Sequence, residues 1–337
     1  MRRKPILITF TLLLAFSLVL NIYNVLNWEK NDEAGLEEEP VSGKTEEYIY
    51  VAVFKNDPMI DNQDMKGMNQ FAEDYGVNVQ IMAPDKYDIE EQKRLLIEAI
   101  EKKPDGIMVC GTDPSLIEHI DMAIDAGIPV ITVDADLPDS KRLAFVGSDF
   151  YDVGVLQAEA MVKLIGGKGT VAMLGMGGLV NMEDAYKGFR SVMENYSDIV
   201  VLDEFNDESN PEIAEAITRS IIEDYPNIAG ISGFDSNSGP GIAKALEELG
   251  QVGKIKATCV DIAQPHLAIL KSGAVQKLIG QKRELFTYYG LKLLYDLNHS
   301  DLKITDNDLE NKITMIPSSV DTGLIEVDQT NIDDILY

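Results

Sequence analysis

The sequence predicts an α/β protein of two doubly wound parallel-sheet lobes joined by a hinge, with a ligand cleft between them. Three observations carry that expectation. The chain has 337 residues, more than a single core usually serves, so two compact lobes are expected. From Tyr48 onward short β-rich runs alternate with amphipathic helical stretches, and the alternation starts afresh at Tyr151; parallel strands need such helical crossovers. Polar residues recur directly after the strand runs, on the side where a doubly wound sheet holds its ligand.

The elements follow in chain order. Met1-Arg2-Arg3-Lys4-Pro5 is a basic cap, followed by an apolar run from Ile6 to Trp28 broken only by small hydroxyls and by Asn21, Asn24 and Asn27. As a helix this run is roughly 34 Å long, enough to span a bilayer. A removed signal peptide has a shorter apolar core, about 7–15 residues, and ends at a small-x-small site. Residues 17–28 offer no such site, and no cysteine stands near the end of the run to take a lipid. Residues 1–28 are therefore read as a membrane anchor or uncleaved signal. Arg2, Arg3 and Lys4 before the span, against Glu29, Asp32, Glu33, Glu37, Glu38 and Glu39 after it, keep the N-terminus in the cytoplasm and export the rest. Residues 29–47, acidic and without apolar period, form a flexible tether.

Residues 48–54 are the first strand. A helix over 61–75 carries Met65, Met68, Phe71 and Ala72 on one face and stops at Gly76. There follow a strand at 78–82, a helix at 89–102, and a strand at 105–109 apolar enough to be buried on both faces. The helix at 114–126 has Pro114 at its start and Gly127 past its end. Strands at 130–133 and 143–146 complete the first series. The second series has helices at 151–165, 183–193, 211–223, 239–249, 265–271 and 285–297. Its strands lie at 170–174, 199–205, 228–232, 255–260 and 277–281. The expected lobes are 48–149 plus 283–316, and 150–282 plus 317–337.

Composition excludes several classes. With 57 acidic against 29 basic residues the net charge is −28, and such a surface repels phosphate backbones and anionic headgroups while keeping the chain dispersed. Nucleic acid is not an expected partner. Cys110 and Cys259 each end an apolar run and fall in different lobes, so they are read as buried structural thiols rather than a bridge or a metal site. Gly175-Met176-Gly177-Gly178 follows a strand, but its spacing is not G-x-G-x-x-G, and Asp203 and Glu204 lie further on than a dinucleotide loop requires. No Walker loop and no Gly-x-Ser-x-Gly elbow occurs. His119, His266 and His299 lack metal-ligand spacing and are read as surface residues. No metal, cofactor or catalytic activity is expected.

The loops after six strands share a chemistry. Phe54 leads to Lys55-Asn56-Asp57-Pro58, and Val133 to Asp134-Ala135-Asp136. Leu174 leads to the glycine loop and Asn181, and Ser232 to Gly233-Phe234-Asp235-Ser236-Asn237. Val260 leads to Asp261, and Gly280 to Gln281. Asp and Asn also start turns and cap helices, but their recurrence at one end of the strands points to a cleft. The candidate ligand-binding residues are Asn56, Asp57, Asp134, Asp136, Asn181, Phe234, Asp235, Asp261 and Gln281.

With Asn56-Asp57-Pro58, Val130-Ile131-Thr132-Val133-Asp134, Phe145-Val146-Gly147-Ser148-Asp149, Gly188-Phe189-Arg190, Cys259-Val260-Asp261, and Gln281 with Gly290, the chain resembles the type I periplasmic binding proteins of the ribose and galactose class. The resemblance runs from about Tyr48 to Pro317. It implies that Asp134, Asp235, Asp261 and Gln281 hydrogen-bond sugar hydroxyls, and that Asn56 and Asp57 supply the first-strand contact. Three departures stand out. Ala135 stands where relatives carry an arginine after the aspartate, and Ala185 stands three residues before the Gly-Phe pair where a second arginine is common. Met59 and Ile60 replace stacking aromatics. Stacking would then fall to Phe54, Phe234, Tyr151 or Phe205. A site without arginine, lined by Asp57, Asp134, Asp136, Asp235 and Asp261, suits a neutral pentose or hexose, or alternatively a cation, and rejects anionic sugars. The resemblance extends to membrane-anchored, xylose-sensing members that partner a sensor histidine kinase. Delivery to a sugar ABC transporter permease is the other expectation, and the peptide anchor in place of a lipid favours sensing.

Overall fold

The computed structural model describes residues 45–302 and 314–335, apart from positions 54, 56 and 58 and the side chains at 61 and 62. The expected anchor over 1–28, nearly all of the expected tether, and the candidates Phe54 and Asn56 lie outside the described residues. Among the described residues no helix is long and apolar enough to cross a membrane.

Among the described residues twelve strands form two six-stranded sheets. The first contains β1 (Glu47–Val51), β2 (Asn78–Met82), β3 (Gly106–Val109), β4 (Val130–Val133), β5 (Ala144–Gly147) and β11 (Ser319–Asp321), in the order β11-β5-β4-β3-β1-β2. The second contains β6 (Gly169–Gly175), β7 (Ile199–Asn206), β8 (Ile228–Gly233), β9 (Lys256–Val260), β10 (Lys277–Gly280) and β12 (Ile325–Val327), in the order β12-β10-β9-β8-β6-β7. The two orders are the same pattern used twice, each with its switch point between the first and third strands of its series, where open α/β sheets bind ligands. Every pairing is parallel except that of β12 on β10. β3 and β4 are fully buried, as their continuous apolar runs require.

The helices are α1 (Met65–Tyr75), α2 (Ile89–Lys102), α3 (Ile117–Asp125), α4 (Phe150–Ile165), α5 (Val180–Met193), α6 (Pro211–Asp224), α7 (Ser238–Glu248), α8 (Gln264–Lys271) and α9 (Arg283–His299). Their ends follow local chemistry. Asp88, Asp149 and Asn210 accept hydrogen bonds from first-turn N–H groups of α2, α4 and α6, and Gly76 and Gly166 take left-handed conformations past the ends of α1 and α4. The first helix differs from expectation at its start: Ile60–Asp64 is a π-helical turn, and regular helix begins at Met65.

Among the described residues the chain crosses between the lobes from β5 to α4 at 148–149, from β10 to α9 at 281–282, and from β11 to β12 at 322–324. Ser148 Oγ donates to the Gly323 carbonyl at 2.9 Å, tying the first crossing to the third. The sequence pattern does not predict β11 and places all of 317–337 in the second lobe. Ser319–Asp321 instead pairs with Phe145–Gly147 in the first sheet, because the edge of β5 is open to a parallel strand before the chain turns back.

Candidate functional site

The carboxyl ends of the two sheets face one cavity. Val53 and Asp57 after β1, Thr112 after β3 and Asp134 after β4 line it from the first lobe. Met176 and Leu179 after β6, Ser209 after β7, Phe234, Asp235 and Ser236 after β8, and Asp261 after β9 line it from the second. Phe150, Asn181, Met182, Val260 and Gln281 complete the wall together with Arg283. In this conformation the lobes touch: the Val180 N–H at the start of α5 donates to the Thr112 carbonyl at 3.0 Å across the cleft. The free space within it is about 60 Å³.

The two lobes present matching aspartates. Asp134 ends β4 and Asp261 ends β9, the fourth strand of each series, and both residues are left-handed, with φ of 67° and 71°. Aspartate tolerates this conformation better than most residues with a Cβ. It turns the chain sharply as each strand ends, and both side chains line the cavity. Each keeps one buried carboxylate oxygen without a partner, Oδ1 in both. The same holds for Thr112 Oγ1, Asn181 Oδ1, Asp235 Oδ2 and Gln281 Oε1. Buried polar atoms are nearly always hydrogen-bonded, and leaving one unmade costs about 1–3 kcal/mol. Six such atoms from both lobes converge on one cavity.

Their other atoms are held. Cys110 Sγ lies 3.5 Å from Asp134 Oδ2. Ser236 Oγ donates to Asp261 Oδ2 at 2.6 Å. Asp235 Oδ1 accepts from the Asn237 N–H at 2.7 Å and from Ser209 Oγ at 3.2 Å. Behind Asp235 the fully buried Asp207 accepts from Ser238 Oγ at 2.6 Å. Burial pushes the Asp235 carboxyl well above the usual range, and the neighbouring Asp207 charge adds to it. Burial also raises Asp134, against the pull of Arg283, and Asp261, against the pull of His266.

Arg283 is the group that the sequence reading missed. It follows the second crossing, is buried, and lines the cavity that was expected to hold no arginine. Its Nε and Nη2 hold Asp64 at 2.9 and 2.7 Å, and its Nη1 donates to Asp134 Oδ2 at 3.2 Å, with Asp57 Oδ2 at 3.7 Å. Its backbone N–H donates to Gln63 Oε1 at 2.7 Å. Burial works against the guanidinium charge, but Asp134, Asp64 and Asp57 outweigh it and hold Arg283 well above its ordinary value. Burial pushes Asp64 up to about 6, with Arg283 acting against the rise. The signal available was position: Arg283 stands two residues after Gln281, where the chain leaves β10 for the first lobe.

Of the candidates from sequence, Asp57, Asp134, Asn181, Phe234, Asp235, Asp261 and Gln281 meet at this cavity. Asp136 does not. Arg142 grips both of its oxygens and Thr132 Oγ1 donates to it at 2.6 Å, in a separate hollow. Among the proposed aromatics Phe234 lines the wall, Tyr151 is exposed and Phe205 packs into the second lobe's core; Phe150, not anticipated, stands with Phe234. Ala135 and Ala185 are buried and line no part of this cavity. Cys110 and Cys259 are free and buried. His266, expected at the surface, is fully buried, and its Nε2 donates to the Ser236 carbonyl at 2.8 Å, which holds the loop beneath Asp261. In the glycine loop, Gly178 takes φ +86°, and a Cβ on Gly175 would stand 2.6 Å from Tyr186 Oη. Turn geometry and close approach account for it.

Comparison with known proteins agrees with this geometry. No curated protein sequence matches the chain. Among solved structures, the sugar-binding protein of a sugar ABC transporter from Bacillus halodurans is 28% identical with a TM-score of 0.75, covering 86% of this chain and 99% of its own. AraP, an arabinose binding protein from Geobacillus stearothermophilus, is 27% identical with a TM-score of 0.73, covering 87% of this chain and 100% of its own. XylFII in a XylFII–LytSN complex is 25% identical with a TM-score of 0.75, covering 86% and 99%. The family model described as periplasmic binding protein domain matches residues 49–300, and with two doubly wound lobes closing on a shared cavity, the chain belongs to that family.

Proposed function

We propose that this chain is an extracytoplasmic binding protein for a small neutral sugar, a pentose or hexose, which closes on its ligand and reports it to a membrane sensor kinase. The observation that carries the reading is the set of six unpartnered polar atoms contributed by both lobes to one cavity. Five are carboxyl or amide oxygens, and a polyhydroxylated ring offers hydroxyl groups to them in every direction. Asp57, Asp134, Asn181, Asp235, Asp261 and Gln281 hold those hydroxyls, and Phe234 with Phe150 covers an apolar face. Because the atoms belong to both lobes, a ligand completes them together only when the lobes are shut, and so favours closure. Solved relatives named for arabinose and for a sugar ABC transporter support a sugar as the guest.

Two partners fit a closing pair of lobes. The XylFII–LytSN complex shows that a similar structure assembles with a second protein, and an N-terminal anchor over 1–28 would keep a copy beside it. That supports sensing. The similarity to the Bacillus halodurans transporter component supports delivery to an ABC permease as the second reading. A thermal-shift screen of the full-length chain tests the ligand: a neutral pentose or hexose raises the midpoint by mass action. Silence across neutral sugars, with a shift on a polyamine, contradicts the reading and favours a cation. Recovery of permease subunits alone from solubilised membranes removes the sensing half.

A further inference from the structure

Beside the inner cavity lies a wider one of about 790 Å³. Tyr87, from the loop after β2, faces it from the first lobe; Gly177, Asn206, Glu208 and Asn210 face it from the second. Met176 and Ser209 line both cavities and so form the partition between them. The inner space, about 60 Å³, is smaller than the roughly 150 Å³ cavity that admits benzene, so a sugar ring there needs the lining to move. Met176 is unbranched and pliable, and the space that can receive it is the outer cavity.

The outer cavity has its own polar fittings. Glu208 and Ser209 are both left-handed, with φ of 55° and 48°, a conformation that is strained for residues with a Cβ. Asn206 Oδ1 holds the turn by accepting from the Gly177 and Glu208 N–H groups at 3.2 and 2.9 Å. Ser209 Oγ is thereby placed at the junction, donating to Asp235 on the inner side and accepting from Asn237 Nδ2 at 3.2 Å. Asn206 and Asn210 engage their carbonyl oxygens with backbone N–H groups, which leaves their NH₂ groups as donors beside the Glu208 acceptor. Tyr87 is half-buried against the second lobe's apolar cluster and is the aromatic ring of this lining.

We propose that the outer cavity is a second sugar subsite, and that the chain takes a neutral disaccharide with one ring among the inner acceptors, the glycosidic link beside Met176 and Ser209, and the second ring against Tyr87. The proposal rests on the sugar-binding reading above and extends it from one ring to two.

Calorimetric titration of the full-length chain with D-glucose, D-galactose and D-xylose, and with cellobiose, lactose and xylobiose, tests it. At least one disaccharide binds about tenfold or more tightly than its matching monosaccharide. In Tyr87→Ala that ratio collapses towards one, and in Glu208→Gln it falls as well. Monosaccharide binding with no gain from the second ring overturns the proposal while leaving the sugar reading intact. So does a ratio unmoved in both variants. Binding of none of the six sugars sinks both readings together.

Discussion

Asp64 shows how closely stability and site chemistry are joined in this cleft. It lines no part of the cavity, yet it holds Arg283, which does. Burial places its folded-state carboxyl at about 6 against an ordinary 3.8. Between those values the folded chain binds more protons than the unfolded chain, so stability falls as pH rises. The contribution is full below 3.8 and is lost as pH passes 6; a shift of this size corresponds to about 3 kcal/mol. Asp134, Asp235 and Asp261 move in the same direction. Denaturant unfolding of ligand-free protein between about pH 4 and 7 checks this: Asp64→Asn flattens the decline by about 3 kcal/mol, and parallel curves for the two proteins contradict it. Asp134 and Asp261 were legible in the sequence because each directly follows an apolar strand run, where a doubly wound sheet puts its ligand, and Asp235 because it follows one at a single residue's remove. Arg283 was not, because a charged residue in the first turn of a helix ordinarily reads as a solvated face. Asp136 was over-read for a matching reason: nothing in Asp134-Ala135-Asp136 shows that Arg142, six residues on, takes the second carboxylate.

At the scale of elements, helix contacts fix where the site residues stand. Gly67 on α1 meets α9 so closely that a Cβ would lie 2.1 Å from the Glu284 carbonyl oxygen and 2.3 Å from Thr287 Oγ1. That contact seats the turn carrying Asp64 against the turn carrying Arg283, with Thr287 Oγ1 donating to the Asp64 carbonyl at 2.9 Å. Gly67→Ala forces α1 and α9 apart. We expect a loss of about 1–3 kcal/mol in denaturant unfolding, together with weaker ligand binding as Asp64 and Arg283 separate. Unchanged stability and affinity would show that the helices repack without cost. The long helices and inner strands were readable because apolar period, caps and glycine stops agree over many residues. The three-residue strands β11 and β12 carry no period to read. Their places follow from which sheet edge is open nearby. The start of α5 at Val180, three residues before the expected helix, is likewise set by a long-range contact, the hydrogen bond to Thr112.

For the whole molecule, two copies of one strand order place a cavity between the two switch points, and the proposed function couples ligand capture there to lobe closure. The fold class was legible from the restart of the βα alternation at Tyr151, since a twisted open sheet of about ten strands tends to curl or split in two. The sequence predicts rejection of anions from an absent arginine, and Arg283 in the cavity wall removes that premise. The proposed exclusion of anions rests instead on an excess of acid: Asp57, Asp64, Asp134, Asp235 and Asp261 stand at or behind the cavity against one guanidinium, which is already engaged by Asp64 and Asp134. An added carboxylate meets unpartnered carboxylate oxygens and no free cation among these groups. The most direct measurement is calorimetric titration of the full-length chain with a neutral sugar and its matching uronic acid, D-glucose against D-glucuronate and D-galactose against D-galacturonate, repeated in Asp261→Asn. Binding of a neutral member, no binding of its uronate, and a loss of about tenfold or more in Asp261→Asn is the predicted result. A uronate that binds as tightly as its neutral parent, or an Asp261→Asn chain of unaltered affinity, would contradict it.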